Sequence, residues 1–169
     1  MIFSIGHSNH SIDDFLNLLE MHQIQLLVDV RSSPYCKYAT WFNKNNLIQK
    51  IEEKGMNYLY LGNKLGGFPQ DTSYLKEDGK PDYKKMSQHK EYLETLEWLI
   101  EESQGIRTTI MCSEAEPQRC HRHMLITKSL LERGIEVTHI LADGSLHKPN
   151  LDEFEEEPAQ LSLFYEKRS

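Results

Sequence analysis

A chain of 169 residues, 38% hydrophobic and 27% charged, is long enough for one well-filled core and too short for two ordinary domains. Its formal net charge of −7 comes largely from Asp152, Glu153, Glu155, Glu156 and Glu157, so the body is close to neutral and an anionic ligand is neither demanded nor excluded. No apolar stretch approaches a membrane span, no basic-then-apolar leader opens the chain, and Cys36, Cys112 and Cys120 are too few and too odd for a disulfide framework; a reduced, cytoplasmic setting without membrane partners is expected.

Apolar runs then alternate with helical periods, the pattern of a parallel sheet with crossover helices. Residues 2–6 read as the first strand. Ser11 and Asp14 open a helix whose Ile12, Phe15, Leu16 and Leu19 share one face. Residues 26–30 form a continuous apolar strand that carries one acid, Asp29, near its end. Residues 43–54 form a second helix, with Leu47, Ile48 and Ile51 inward and Gly55 as its stop, and residues 57–61 the third strand. Residues 62–86, with four glycines and two prolines but no sustained period, read as one long loop. Ser87 is expected to cap a helix striped by Leu93, Leu96 and Ile100. Residues 107–111 form strand four, 117–133 a helix begun by Pro117 and closed by Gly134, and 136–141 strand five. The expected fold is therefore a Rossmann-like α/β layered sandwich, with a mostly parallel sheet of about five strands and helices on both faces. The domain is expected to span 1–141, and residues 142–169 to form an acidic, flexible tail.

Open α/β sheets bind ligands beyond the carboxyl ends of their strands, and three such ends here are polar. His7, Ser8, Asn9 and His10 follow strand one, Asp29, Arg31, Ser32 and Ser33 follow strand two, and Cys112, Ser113, Glu114 and Glu116 follow strand four. A helix opening near Arg119, Cys120, His121 and Arg122 would aim its positive end at the same crevice. Cys112 reads equally as a nucleophile or as strand-end filler, because arginines would favour its thiolate while Glu114 and Glu116 oppose it. Arg31, Arg119 and Arg122 are candidate anion binders, the last two on one helical face; His7 and His121 are candidate proton carriers, and Asp29 would orient one of them. Each has a structural alternative: His7 as a helix cap, Asp29 with Arg31 as a loop-anchoring ion pair, Cys120 as a small apolar filler. Cys36 has no assigned role. A metal would draw on Cys112, Cys120 and His123, with His121 beside them. On a helix, however, adjacent Cys120 and His121 would diverge by about 100°, and the spacing fits no standard zinc pattern, so these residues are weak metal candidates and the sequence requires no cofactor.

The segments Ile5-Gly-His-Ser-Asn9, Val28-Asp-Val-Arg-Ser32 with Pro34, Phe42-Asn43, Leu65-Gly-Gly67 and Met111-Cys-Ser-Glu-Ala-Glu-Pro-Gln-Arg-Cys-His-Arg122 resemble domain-of-unknown-function family 488, a bacterial and archaeal family. The resemblance covers roughly residues 2–141 and implies a Rossmann-like domain with His7, Asp29, Arg31, Cys112, Glu114, Cys120, His121 and Arg122 at signature positions, without implying a reaction. The Asp-Val-Arg element also looks a little like rhodanese domains, although two glutamates stand where a rhodanese would wrap an anion cradle.

Beyond the acidic run, Gln160-Leu161-Ser162-Leu163-Phe164 is similar to the peptide by which bacterial replication and repair proteins bind the sliding clamp. Leu163 and Phe164 would anchor in an apolar groove while Gln160 supplies amide hydrogen bonds and Leu161 adds contact; the alternative is that they fold back as a C-terminal staple. The sequence thus points to a clamp-tethered protein of DNA replication or repair, acting on a nucleotide or DNA through a Cys/His/Arg/Glu site. A rhodanese-like sulfur-transfer enzyme using Cys112 and a non-catalytic adaptor are the rival readings.

Overall fold

The computed structural model describes residues 1–155, so the peptide at 160–164 lies outside the described residues. Six strands form one sheet: β1 (Ile2–Gly6), β2 (Leu26–Asp29), β3 (Asn57–Tyr60), β4 (Thr108–Cys112), β5 (Val137–Ile140) and β6 (Leu146–His147). Their order is β3-β2-β4-β1-β5-β6, with every pair parallel except β5 and β6. β1, β4 and β5 are buried along their whole length, as parallel strands covered on both faces must be.

Alternation along each strand sorts the apolar side chains between two cores. Phe3, Leu27 and Met111 face α1 (Ile12–Met21) and α2 (Lys44–Glu53), packing on Phe15, Leu19, Leu47 and Ile51. Their neighbours Ile2, Val28 and Ile110 face the other way, onto Leu96 and Leu99 and onto Leu125 and Leu130 of the helix that follows β4. The crossovers after β1 and β2 therefore cover one face, and those after β3 and β4 the other. The chain parts at the carboxyl ends of β2, β4 and β1, which opens a crevice there.

Local signals explain several boundaries. Ser11 accepts a hydrogen bond from the Asp14 N–H at 3.1 Å and starts α1, as its sequence position implies. The stretch 62–86 is more structured than a loop. It holds α3 (Gly62–Leu65), a 3₁₀ turn at Thr72–Tyr74 and α4 (Tyr83–Met86), the last capped by the Asp82 carboxylate. Ser87 closes α4 instead of opening the next helix, and α5 (Lys90–Glu102) begins after His89.

The segment after β4 also departs from the sequence reading. Pro117–Arg119 makes a single 3₁₀ turn, Cys120 is extended at φ −125 and ψ 146, and the helix begins only at His121. Its first turns, Arg122–Thr127, are a wide π segment in which the Thr127 hydroxyl donates to the Arg122 carbonyl at 2.6 Å; α6 (Lys128–Glu132) continues it. The sheet does not stop at residue 141 either, because β6 extends it and Phe154 stacks on His123 with ring centroids 4.3 Å apart. Among the described residues no helix is long and apolar enough to cross a membrane.

Candidate functional site

The loops after β1 and β2 are fastened to the end of β4. His7 N donates to Cys112 O, Ser8 N to Ser113 O and Val30 N to Met111 O, each at 2.9 to 3.0 Å. Gly6 permits this convergence, since a Cβ there would fall 1.7 Å from the Glu114 carbonyl oxygen.

On the β2 side, Asp29 and Arg31 are both buried and form a bidentate pair, with Nε at 2.9 Å and Nη2 at 2.7 Å from the two carboxylate oxygens. The Arg31 N–H and the Tyr58 hydroxyl, at 3.1 and 2.6 Å, complete the carboxylate's partners. Arg31 Nη1 lies 3.3 Å from His7 Nε2. Arginine can only donate, so Nε2 accepts and Nδ1–H donates to the Ser8 carbonyl at 2.7 Å, which fixes a neutral tautomer. Burial pushes the His7 pKa down to about 4, with Arg31 adding to the effect, and the ring stacks on Phe42 at 4.3 Å. Asp29, Arg31 and His7 thus form one internally satisfied chain behind the crevice.

On the β4 side, three donors meet. The Sγ atoms of Cys112 and Cys120 and a ring nitrogen of His121 all lie within 4.8 Å of one another, and all three residues are buried. His121 Nε2 donates to the Val30 carbonyl at 2.9 Å, which turns Nδ1 toward Cys112 Sγ at 3.6 Å and Cys120 Sγ at 3.7 Å. Extended backbone at Cys120, just before the helix, is what allows neighbouring side chains to converge. The expected 100° divergence does not arise, because Cys120 is not on the helix. Cys112 beside it and the positive charge of Arg122 hold the Cys120 thiol below the ordinary range. Cys112 moves the opposite way, raised by Cys120 and by burial. Of the two sulfurs Cys120 is therefore the one biased toward the thiolate, and the Arg122 backbone N–H donates to its Sγ at 3.5 Å.

Arg119 and Arg122 do not share a face. Arg122 is 0% exposed, donating from Nη1 to Glu114 O at 2.6 Å, from Nη2 to Ala115 O at 3.2 Å and from Nε to Ser4 Oγ at 3.3 Å. It thereby pins the β4 loop, and among the described residues it has no carboxylate partner. Arg119 is 78% exposed on its 3₁₀ turn and pairs with Glu116 at 3.1 Å. His123 is also elsewhere. Two positions into the helix it faces β5, where its Nδ1 lies 2.9 Å from His139 Nε2, so it cannot join the cysteines and His121 takes its place in the donor set.

A cleft of about 330 Å³ opens over this centre, bounded by Arg31, Ser113, Glu114, Arg119, Cys120 and His121 among others. A larger cavity of about 580 Å³ adjoins it, sharing Ser32, Ser33 and Phe68 and continuing past Tyr60, Tyr74 and His89. Sequence reasoning missed this second cavity. Its signal was the concentration of aromatics and small residues in 60–74, which had no period to assign them to a face. The centre itself offers two thiols, an imidazole and a nearby carboxylate, a set suited to nucleophilic attack, proton transfer or soft-metal ligation.

Residues 11–128 match the model of the family described as Domain of unknown function DUF488, and the chain belongs to that family. No curated protein and no solved structure matches it.

Proposed function

We propose that this chain is an enzyme whose reaction runs at Cys112, Cys120 and His121 on a phosphate-bearing substrate, a nucleotide or a DNA end, and that residues 160–164 tether it to a bacterial sliding clamp. One observation carries the enzyme reading: two thiols and an imidazole converge within 4.8 Å beneath a cleft at the parting of the sheet's crossovers. In this reading the Cys120 thiolate is the reactive sulfur and Cys112 its proton donor, while His121 and Glu114 exchange protons with the substrate. Arg119, at the exposed rim, meets the phosphate. Arg31 and Arg122, whose donors are already engaged, hold the frame and lend positive field. Asp29 and His7 orient that frame. The tether rests on the sequence match of Gln160, Leu161, Leu163 and Phe164 alone.

Two experiments test the two halves. Full-length protein is incubated with a panel of nucleotides and 5′- and 3′-phosphorylated DNA ends, and conversion is followed by mass spectrometry beside Cys120→Ser and His121→Ala variants. Conversion lost in both variants supports the enzyme; no conversion by any protein makes the chain an adaptor. A fluorescent peptide of residues 155–169 is then titrated with purified clamp. Micromolar binding abolished by Leu163→Ala and Phe164→Ala supports the tether, and undetectable binding removes it.

Sulfur transfer is favoured as a second reading by the thiolate at Cys120, which faces a backbone N–H at the start of a helix. There the thiolate would attack the outer sulfur of thiosulfate, forming a persulfide and releasing sulfite. Intact-mass analysis after thiosulfate treatment decides it, through one added sulfur that disappears in Cys120→Ser.

A further inference from the structure

We infer that Cys112, Cys120 and His121 form a three-ligand site for a soft divalent cation of the zinc class, with the fourth position open to the cleft. The inference rests on the enzyme reading above and deepens it by recasting the roles: with the cation bound, Cys112 and Cys120 are ligands, and the reaction runs at the open position instead of at the Cys120 sulfur.

Geometry is the first argument. Zinc bonds of about 2.3 Å to sulfur and 2.0–2.1 Å to nitrogen, set tetrahedrally, place sulfur and nitrogen about 3.6 Å apart. The two sulfurs lie 3.6 and 3.7 Å from His121 Nδ1. Two edges of the coordination tetrahedron therefore have their final lengths without any movement of the chain.

Support around the ligands is the second. The Val30 carbonyl accepts from His121 Nε2 at 2.9 Å, which in the neutral ring leaves the Nδ1 lone pair pointing between the sulfurs. A backbone carbonyl behind a metal-bound histidine is the usual way to fix its tautomer and orientation. Gly67 lies close against the other side of the ring, where a Cβ would meet Nδ1 at 2.7 Å, so the imidazole has little freedom to turn away. Each ligand also sits on a firm element: Cys112 ends β4, Cys120 directly precedes the helix, and His121 begins it.

Charge is the third. Burial disfavours ionising both sulfurs at once, and a divalent cation that displaces their remaining proton neutralises both thiolates, so the pocket accepts two charged sulfurs only together with a cation. Among the described residues no fourth Cys, His, Asp or Glu joins the set. A closed structural site would hold four protein ligands; three ligands facing a cleft match the open, catalytic kind, where water or a substrate oxygen completes the shell.

Cobalt(II) is the probe. Full-length protein, reduced and stripped of metal by a chelator, is titrated anaerobically with cobalt while thiolate-to-cobalt charge transfer and the visible bands of tetrahedral cobalt are recorded. Saturation at one equivalent with reversal by zinc is expected, with Cys36→Ser behaving as wild type. Cys112→Ser, Cys120→Ser and His121→Asn, each checked for native circular dichroism, are expected to weaken binding beyond the 10–100-fold that loss of an outer-shell partner causes. Absence of charge transfer in reduced wild-type protein, or its survival in the double cysteine variant, overturns the site. Turnover lost in Cys120→Ser by a protein that never takes up cobalt also overturns it and leaves the enzyme reading intact. Tight cobalt binding without conversion of any substrate supports the site and sinks the enzyme reading instead.

Discussion

Alanine at Gly67 perturbs the centre without touching any of its reactive atoms. The new Cβ would lie 2.5 Å from His121 Cγ and 2.7 Å from both its Cβ and its Nδ1. Carbon atoms rest at about 3.5–4.0 Å, so a gap of about 1 Å must open. Gly67 is not among the residues with positive φ, so the backbone itself accepts alanine and the strain is one of contact alone. The imidazole cannot back away freely, because Val30 holds Nε2 at 2.9 Å. Either the loop lifts or the ring swings off the sulfurs. Overpacking of this kind costs about 1–3 kcal/mol, and a chain of this size loses roughly 2–4 °C of melting temperature per kcal/mol. The expected result is a fall of roughly 4–8 °C for a 2 kcal/mol cost, together with a change in the pH at which the ultraviolet thiolate absorbance titrates. Gly79→Ala is the control. Its φ of +81 makes alanine strained there, but nothing lies within 4 Å, so it should lose about 1 kcal/mol and leave the thiolate titration unmoved. Wild-type melting and wild-type thiolate titration in Gly67→Ala would refute the packing argument.

Native protein should keep a thiolate absorbance as the pH falls well below the free-thiol pKa of about 8.5. Cys120→Ser should remove it and Cys36→Ser should not; a signal that vanishes near the free-thiol value would contradict the assignment of Cys120. Burial lowers the pKa of His7 to about 4 and of His139 to about 3, from 6.5. The unfolded chain therefore binds protons that the folded chain refuses, so stability is nearly complete above neutral pH and is lost as pH falls from 6.5 toward 4. At about pH 5 each histidine should cost about 2 kcal/mol, and His139→Gln should flatten the pH dependence of the urea midpoint by that amount; an unchanged slope would count against it. Asp29→Asn leaves the buried Arg31 guanidinium without its counter-charge and should cost about 3–5 kcal/mol in urea unfolding, a loss below 1 kcal/mol being the contrary result.

The layered architecture was legible because continuous apolar runs alternate with 3.6-residue periods over most of residues 2–141, the aperiodic stretch 62–86 excepted. The wrong boundaries fall where local chemistry overrides periodicity. Ser87 looked like a helix start because capping residues are suited to either end of a short turn, and only the Asp82 cap and one-turn α4 decide between them. The π segment and the extended Cys120 are invisible to a periodicity count, since Pro117 opens a plausible helix and one extended residue leaves the apolar spacing intact. That single residue also hid the donor set. With Cys120 on a helix the three ligands cannot meet, and with Cys120 extended they do. Arg122 misled in a similar way, because an arginine beside a candidate thiol suggests an anion binder, whereas its donors are taken by Glu114 O, Ala115 O and Ser4. The clustering of polar residues at three strand ends was readable, whereas the parting of the crossovers there follows from the spatial order of the strands, which chain order does not fix.

The start of the helix after β4 has a consequence for how the protein is assembled. His121, Arg122 and His123 are consecutive, yet each is keyed to a different part of the sheet: His121 to the residue after β2, Arg122 to Ser4 of β1, and His123 to His139 of β5. A slip of one residue in this segment would hand every strand the wrong partner at once, stranding a buried cation and two rings. Misregistered copies are therefore penalised far more heavily than a loss of one contact would suggest, and a chain that has gathered its two thiols beside the imidazole has, by the same act, verified the alignment of the sheet.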